Sequence, residues 1–130
     1  MSWKLNVYDV PGRKVVITEG VGKATPAAVK ELTDYVLNKG KSFSGKWAYA
    51  PIIDKLDPIL DPETQQAFAN LHVVCENAGC VAFAFIDGGM ASIKVQAKRH
   101  QQKSHADKLV TEYFRTKEEA LDWLKENFGI

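Results

Sequence analysis

A run of apolar residues, Cys80 to Ile86, constrains the fold more than any other stretch, and it ends abruptly in Asp87-Gly88-Gly89. The run contains no charged residue and is rich in aromatic and β-branched side chains. A strand with one face in water alternates apolar with polar residues, so this run predicts a strand that is buried on both faces. Such strands lie at the centre of a sheet that carries helices on both sides.

The length and composition are those of a single domain, residues 1–130. A net charge of +1 gives no strong field that would attract nucleic acid or an acidic membrane. Two cysteines are too few for a disulfide framework, and no apolar run approaches the roughly 20 residues that span a bilayer. We therefore expect a soluble, cytoplasmic domain that uses no cofactor and has no specific affinity for nucleic acid.

The first third of the chain predicts a hairpin followed by a helix. Residues 3–10 alternate between apolar and polar side chains, residues 14–20 predict a second strand, and the Pro-Gly-Arg turn between them predicts antiparallel pairing. Thr25-Pro26 is typical of a helix start, where threonine caps the free amides and proline needs no partner for an N–H. Gly40 is a candidate left-handed cap at the end of this helix.

The remainder of the chain alternates strands with helices. Residues 47–53 predict a third strand, in which Pro51 indicates an edge position, a bulge or the strand's end, because proline cannot donate to a sheet. Asp61-Pro62 repeats the cap-and-proline pattern and predicts a helix that runs to about Ala78, before the buried strand. Residues 109–114 predict the last strand, and a capping box begins the last helix at Thr116.

Residues 90–104 have two interpretations. Alternation from Ile93 to Ala97 would continue a hairpin, whereas Met90, Ile93 and Ala97 also fit the spacing of a helix. We favour the helix, because residues 98–108 show no alternation. The resulting order, β-β-α-β-α-β-α-β-α, predicts an α/β fold with a mixed, mostly parallel sheet of about five strands and helices packed against it.

This order and several stretches of sequence resemble the SpoIIAA-like family, a branch of the STAS fold that is related to anti-sigma factor antagonists. The similar stretches are the hairpin Val7 to Glu19, the helix led by Asp61-Pro62, the strand Val81 to Asp87, and the ending YFRTKEEALDWL at residues 113–124. Together they span nearly the whole chain. The resemblance implies a STAS-like fold and a regulatory or ligand-binding module, not a metabolic enzyme.

The resemblance also draws attention to the start of the helix that follows the third strand. Proteins of the anti-sigma antagonist type bind a partner kinase, which phosphorylates a serine at that place. This chain has Asp61-Pro62-Glu63 there, and the only nearby hydroxyl belongs to Thr64, so the phosphorylation switch does not carry over. The wider fold group is also similar to small domains that hold apolar or lipid-like ligands.

The candidate site lies beyond the carboxyl ends of the parallel strands, where open α/β sheets bind their ligands. The sequence shows two such ends, at residues 53–54 and 86–89. If the two strands are neighbours, Asp54 and Asp87 line one crevice. Gly88 and Gly89 would then let a ligand approach the backbone. The alternative is that Asp87 simply caps the next helix. The candidate ligand- or partner-binding residues are Asp54, Leu56, Asp61, Asp87, Gly88 and Gly89.

Two other clusters have simpler structural explanations. The three aspartates of residues 54–61 are a potential oxygen-ligand set for a hard cation, but two of them precede proline, where aspartate is a common turn and cap residue. Cys75 and Cys80 lie close to His72 in sequence, yet zinc sites use paired short spacings. We expect two buried structural cysteines, with no metal site and no catalytic residue.

A basic run extends from Lys94 to Lys108 and would form one cationic face on a helix. This face is either solvated or a binding surface for anions. No aromatic residue interrupts the run, so nucleic-acid bases would find no stacking platform on it. The candidate anion-binding residues are Lys94, Lys98, Arg99 and Lys103.

These patterns leave three functions open. We expect a non-enzymatic regulatory or interaction module that binds a protein partner or a small apolar ligand, and a homodimer is one form that such a partnership takes. The alternative is a lipid-binding protein that makes peripheral contact with an anionic membrane surface through the basic face. The third possible function is that of a small enzyme.

Overall fold

The computed structural model describes residues 3–89 and 109–130, which form five strands and three helices. In chain order these are β1 (Trp3–Tyr8), β2 (Val15–Gly22), α1 (Pro26–Lys41), β3 (Trp47–Ile52), α2 (Pro62–Asn77), β4 (Cys80–Ile86), β5 (Val110–Phe114) and α3 (Lys117–Phe128). The strands make one sheet in the order β1-β2-β3-β4-β5. β1 pairs antiparallel with β2, and the remaining pairings are parallel. The predicted mixed, mostly parallel α/β sheet is confirmed, while the element predicted at residues 90–104 lies outside the described residues.

The helices begin where the sequence predicts, because each first turn has a side chain that accepts from a free backbone N–H. Thr25 caps α1 by accepting from the N–H of Ala28 at 3.1 Å. Thr116 caps α3 by accepting from the N–H of Glu119 at 3.2 Å. None of the helices within the described ranges has the length and apolarity that crossing a bilayer requires.

The two faces of the sheet carry side chains of very different size. Along β3 and β4 the aromatic rings pack with α1 and α2, and the alternating alanines pack with Ala120 and Leu124 of α3. The strand at 80–86 is therefore buried on both faces, as predicted, although the middle position in the sheet belongs to β3. The ring face holds Trp47, Tyr49, Phe83 and Phe85, and the alanine face holds Ala48, Ala50, Ala82 and Ala84.

Arg13 ties the hairpin to the far end of the chain. Its guanidinium donates from Nη2 to the carbonyl of Leu121 at 2.7 Å and from Nε to the backbone oxygen of Ile130 at 2.9 Å. Charge-assisted hydrogen bonds of this kind are stronger than neutral ones. The hairpin turn therefore holds α3 in place across the alanine face.

Pro51 lies at the strand's end, which was one of the three predicted placements. It is the next-to-last residue of β3, and the edge position is excluded because β3 pairs with strands on both sides. The irregular register between β3 and β4 falls instead at Trp47 and Ala48. A proline is tolerated there because the ladder ends immediately after it.

The prediction that Gly40 is a left-handed cap is wrong. Helix α1 continues to Lys41, its cap is Ser42 with a φ of −72°, and Gly40 is not among the glycines with positive φ. The reason for glycine is the close approach of Trp47, since a Cβ on Gly40 would lie 2.4 Å from Cζ2 of the indole. Trp47 is fully buried and donates its ring N–H to the carbonyl of Ala78 at 3.0 Å.

Replacing Gly40 by alanine should destabilise the protein, although alanine is the better helix former by about 1 kcal/mol. The added methyl group overlaps the indole of Trp47, so we expect a net loss of about 1–3 kcal/mol in the free energy of unfolding, measured by urea denaturation. In a Trp47→Phe background, which removes the overlapping ring atoms, the same change should cost less. A Gly40→Ala protein as stable as the wild type would contradict the packing role.

Candidate functional site

The carboxyl ends of β2, β3 and β4 lie at one edge of the sheet, and β1 begins there because it runs antiparallel to β2. The loop that follows β3 is fixed to the end of β2 by two backbone hydrogen bonds. The N–H of Gly22 donates to the carbonyl of Lys55 at 3.1 Å and the N–H of Asp57 donates to the carbonyl of Gly22 at 2.9 Å, which together make the parallel bridge between Gly22 and Leu56. This loop closes one side of a crevice whose other side is α2.

Beneath the loop lies a cavity of about 50 Å³, between the ring face of the sheet and the helices α1 and α2. Its walls are almost entirely apolar. Aromatic rings line it from Trp3, Tyr49, Phe68, His72, Phe83 and Phe85. Aliphatic side chains complete the walls, chiefly those of Leu32, Ile53, Leu56, Ile59 and Leu71.

The hydroxyl groups of two wall residues are paired with each other. The hydroxyl oxygens of Thr18 and Tyr49 lie 2.6 Å apart and share a hydrogen bond. Burial raises the pKa of Tyr49 far above its usual range, so this hydroxyl stays neutral. The buried imidazole of His72 packs edge-on against Phe83, with 4.8 Å between the ring centroids. The paired hydroxyls and the packed rings leave a mainly apolar surface that suits an apolar guest.

Trp3 covers the cavity where the first strand begins. Gly20 lies directly beneath it, and a Cβ on Gly20 would come within 2.8 Å of Cη2 of the indole. The indole nitrogen Nε1 is buried, and within residues 3–89 and 109–130 it has no hydrogen-bond partner. The glycine is therefore the reason that a ring as large as tryptophan can lie flat on β2 at this edge.

Asp54, Asp87 and Gly88 lie together, as predicted for the ends of neighbouring strands. A Cβ on Gly88 would be 3.2 Å from Cβ of Asp54. Asp87 is fully buried, and its Oδ1 accepts from the N–H of Gly89 at 2.7 Å. Both glycines have positive φ, which other residues rarely adopt, and Gly89 lies against the guanidinium of Arg115.

Leu56 and Asp61 have separate places in the same loop. Leu56 lines the cavity. Asp61 caps α2, since its Oδ2 accepts from the N–H of Thr64 at 2.9 Å and from the hydroxyl of Thr64 at 2.5 Å. The bond from this hydroxyl holds the pKa of Asp61 below its ordinary value. The binding role proposed for all six crevice residues stays a prediction, and the four cationic candidates, Lys94, Lys98, Arg99 and Lys103, lie outside the described residues.

The cysteines are buried in the core beneath the rings. Burial raises the pKa of the Cys75 thiol well above its usual range and that of Cys80 to about 12. A thiol that keeps its proton is a poor nucleophile and a poor metal ligand. In the parts of the chain that the structure describes, no group of three or more His, Cys, Asp or Glu side chains is arranged to hold a metal ion.

Several residues of the cavity were not identified as site residues from the sequence. Tyr49 and the phenylalanines of β4 looked like ordinary core residues, and His72 looked like a satisfied core histidine. The available signal was the alternation of rings with alanines along both β3 and β4, which collects the rings on one face. That pattern could have indicated which face holds the cavity, but not that a cavity is present.

Comparisons with known proteins identify the fold. No protein-family model matches this chain, and no curated protein matches it. Among solved structures it is similar to an uncharacterized protein of the DUF3478 family with a SpoIIAA-like fold, from Shewanella loihica PV-4. The TM-score is 0.67 and the identity is 16%, over 94% of this chain and 93% of that one. At this identity the likeness shows the fold alone, and the fold is SpoIIAA-like, as the sequence resemblance implied.

Replacing Asp61 by alanine should lower the midpoint of thermal unfolding by a few degrees at neutral pH, because α2 loses its cap. Asp61→Asn is the matched control, since its amide oxygen can still accept from the N–H of Thr64. The pKa of Asp61 is lower in the folded state, so its charge stabilises the fold above the ordinary value of 3.8 and this contribution is lost as the pH falls further. Equal midpoints for wild type and Asp61→Ala across this range would contradict the cap.

The thiols of Cys75 and Cys80 should react slowly with a thiol-specific disulfide reagent at neutral pH. Burial excludes the reagent, and the raised pKa values leave very little thiolate. The same chain unfolded in denaturant gives the reference rate, and a Lys30→Cys variant, with its thiol on the exposed face of α1, gives the rate for an accessible site. If the native wild type were labelled as fast as the variant, Cys75 or Cys80 would be a reactive cysteine and this prediction would be wrong.

Proposed function

We propose that this SpoIIAA-like domain is a binding module, not an enzyme, and that it takes the apolar end of a small ligand into the crevice at the carboxyl ends of its strands. The observation that carries the proposal is the cavity of about 50 Å³ with nearly all-apolar walls at that edge. Ligand sites of α/β folds occur preferentially at this edge. Water gains little in such a space, because the walls are nearly all apolar and the hydroxyls of Thr18 and Tyr49 are bonded to each other.

The size of the cavity limits what enters it. Pockets that enclose a whole small molecule usually have volumes of about 300–1,000 Å³. Only the end of a ligand therefore fits inside this cavity, and the rest of the molecule lies in the crevice, whose free volume is about 590 Å³ when its open mouth is included. A short alkyl group or the end of a longer chain has the right shape and polarity.

The state of the nearby reactive groups favours binding over catalysis. Nucleophilic catalysis requires an activated group beside a base. The thiols of Cys75 and Cys80 are protonated, and the hydroxyl of Tyr49 is neutral and bonded to Thr18. These groups support packing and shape, which is what a binding module needs.

The start of α2 supports regulation by a ligand in preference to phosphorylation. Thr64, the only hydroxyl near the place where related proteins carry a phosphorylated serine, is fully buried and donates to Asp61. A kinase could reach it only after the first turn of α2 opens. A phosphate there would also stand beside the carboxylate that already caps the helix.

A second candidate is a protein partner, and the observation that favours it is the exposure of Leu60. This side chain is 82% exposed, in the loop that closes the crevice. Val7 and Tyr8, on the edge strand β1, are also exposed and would suit a second copy of the chain. Peripheral contact with an anionic membrane rests on the basic run, which lies outside the described residues.

Xenon and pentane test the proposal, because both are small apolar probes that fill dry cavities. Chemical-shift titrations of the 130-residue protein should show changes confined to the cavity residues, which grow with xenon pressure and with pentane concentration up to its solubility. Leu56→Phe, which adds a ring to the cavity wall, should weaken binding of both probes at least severalfold. Leu60→Phe is the matched control, since the same change is made on an exposed residue of the same loop. Failure of either probe to bind the wild type would overturn the small-ligand proposal, and equal binding by both variants would move the site elsewhere.

A further inference from the structure

We infer that the ligand of this crevice carries a neutral hydrogen-bond acceptor, such as the oxygen of a ketone, ester or amide, next to its apolar end, and that the indole N–H of Trp3 donates to it. The inference rests on the proposed function and names the chemical class of the ligand. Its basis is the contrast between the paired hydroxyls of Thr18 and Tyr49 and the indole N–H of Trp3, which has no hydrogen-bond partner among the described residues.

The buried indole N–H groups of Trp3 and Trp47 differ in whether an acceptor lies next to them. Trp47 donates to the carbonyl of Ala78 at 3.0 Å, as buried indoles usually do. Trp3 lines the cavity, and its Nε1 is buried without a hydrogen-bond partner among the described residues. A buried donor without an acceptor has lost the bond that water would give it, so an acceptor from a ligand restores what folding removed.

The neighbours of Trp3 do not supply this acceptor. A Cβ on Gly20 would meet the indole of Trp3 at 2.8 Å and the apolar side chain of Leu56 at 3.5 Å. The hydroxyls of Thr18 and Tyr49 lie in the same cavity wall but are bonded to each other at 2.6 Å. No acceptor for the indole N–H is therefore present among the described residues, and we assign that role to a group of the ligand.

The surroundings favour a neutral acceptor over a carboxylate. No lysine or arginine is among the residues that line the cavity in the described parts of the chain, so a charged group there would lose its hydration without gaining a counter-ion. The carboxylates of Asp54 and Asp87 stand near the crevice and add repulsion. A carbonyl oxygen carries the acceptor without the charge.

The test compares pentane with 2-pentanone, which differ by one carbonyl oxygen, on three forms of the protein: wild type, Trp3→Phe and the control Trp123→Phe. Trp123 packs on α3 against Phe114 and Phe128, away from the cavity. Trp3→Phe should lower the affinity for 2-pentanone relative to pentane about 5- to 10-fold, because both probes lose contact with part of the ring but only 2-pentanone also loses the N–H. Trp123→Phe should change neither.

The outcomes separate this inference from the proposed function. If Trp3→Phe weakens both probes equally, or neither, the acceptor class is wrong while the apolar site stands. If neither probe binds the wild type, the proposed function fails and the inference fails with it. A second measurement does not depend on the variant folding: the indole N–H resonance of Trp3 in the wild type should move downfield with 2-pentanone and not with pentane, and an unmoved resonance would overturn the inference.

Discussion

The packing of the whole domain depends on the unequal side chains that β3 and β4 present to the two faces of the sheet. Alanines at alternate positions let α3 approach one face closely, so Ala120 and Leu124 are fully buried against it. Aromatic rings on the other face hold α1 and α2 farther away. Rigid rings leave gaps where their edges do not meet, and the cavity lies in one such gap. The same alternation of alanines and rings therefore explains both the close packing of α3 on one face of the sheet and the cavity on the other face.

Trp47 fixes the position of the ring face of the sheet relative to helices α1 and α2. Its indole lies against α1 where Gly40 has no side chain, and it donates to the last turn of α2 through the carbonyl of Ala78. One buried residue thus fixes both helices relative to the strand between them. This anchor lies at the amino end of β3, whereas the cavity is lined by Ile52 and Ile53 at its carboxyl end.

Much of the fold could be predicted from the sequence, because it depends on interactions between residues that are close in the chain. Thr25-Pro26 and Asp61-Pro62 mark helix starts because a cap and a proline act within four residues, and the apolar run at 80–86 shows its burial in its own composition. Gly40 was misread because its neighbour Trp47 is a tertiary contact that no local pattern shows. The crevice followed from the general rule for strand ends, which placed Asp54 and Gly88 together correctly. Trp3 was missed as part of the site because its position depends on the antiparallel register that puts it beside the end of β2.

The volume of the cavity also sets how much of a ligand's affinity it can provide. A space of about 50 Å³ holds roughly two methylene-sized groups, since a water molecule occupies about 30 Å³ in the liquid. At about 0.8 kcal/mol for each buried methylene, this gives about 1.6 kcal/mol, whereas even millimolar binding requires about 4 kcal/mol. The part of the ligand outside the cavity must therefore contribute more than the part inside. Under the proposed function, selectivity therefore depends on contacts outside the cavity, for which Asp54, Gly88 and Gly89 are the predicted residues.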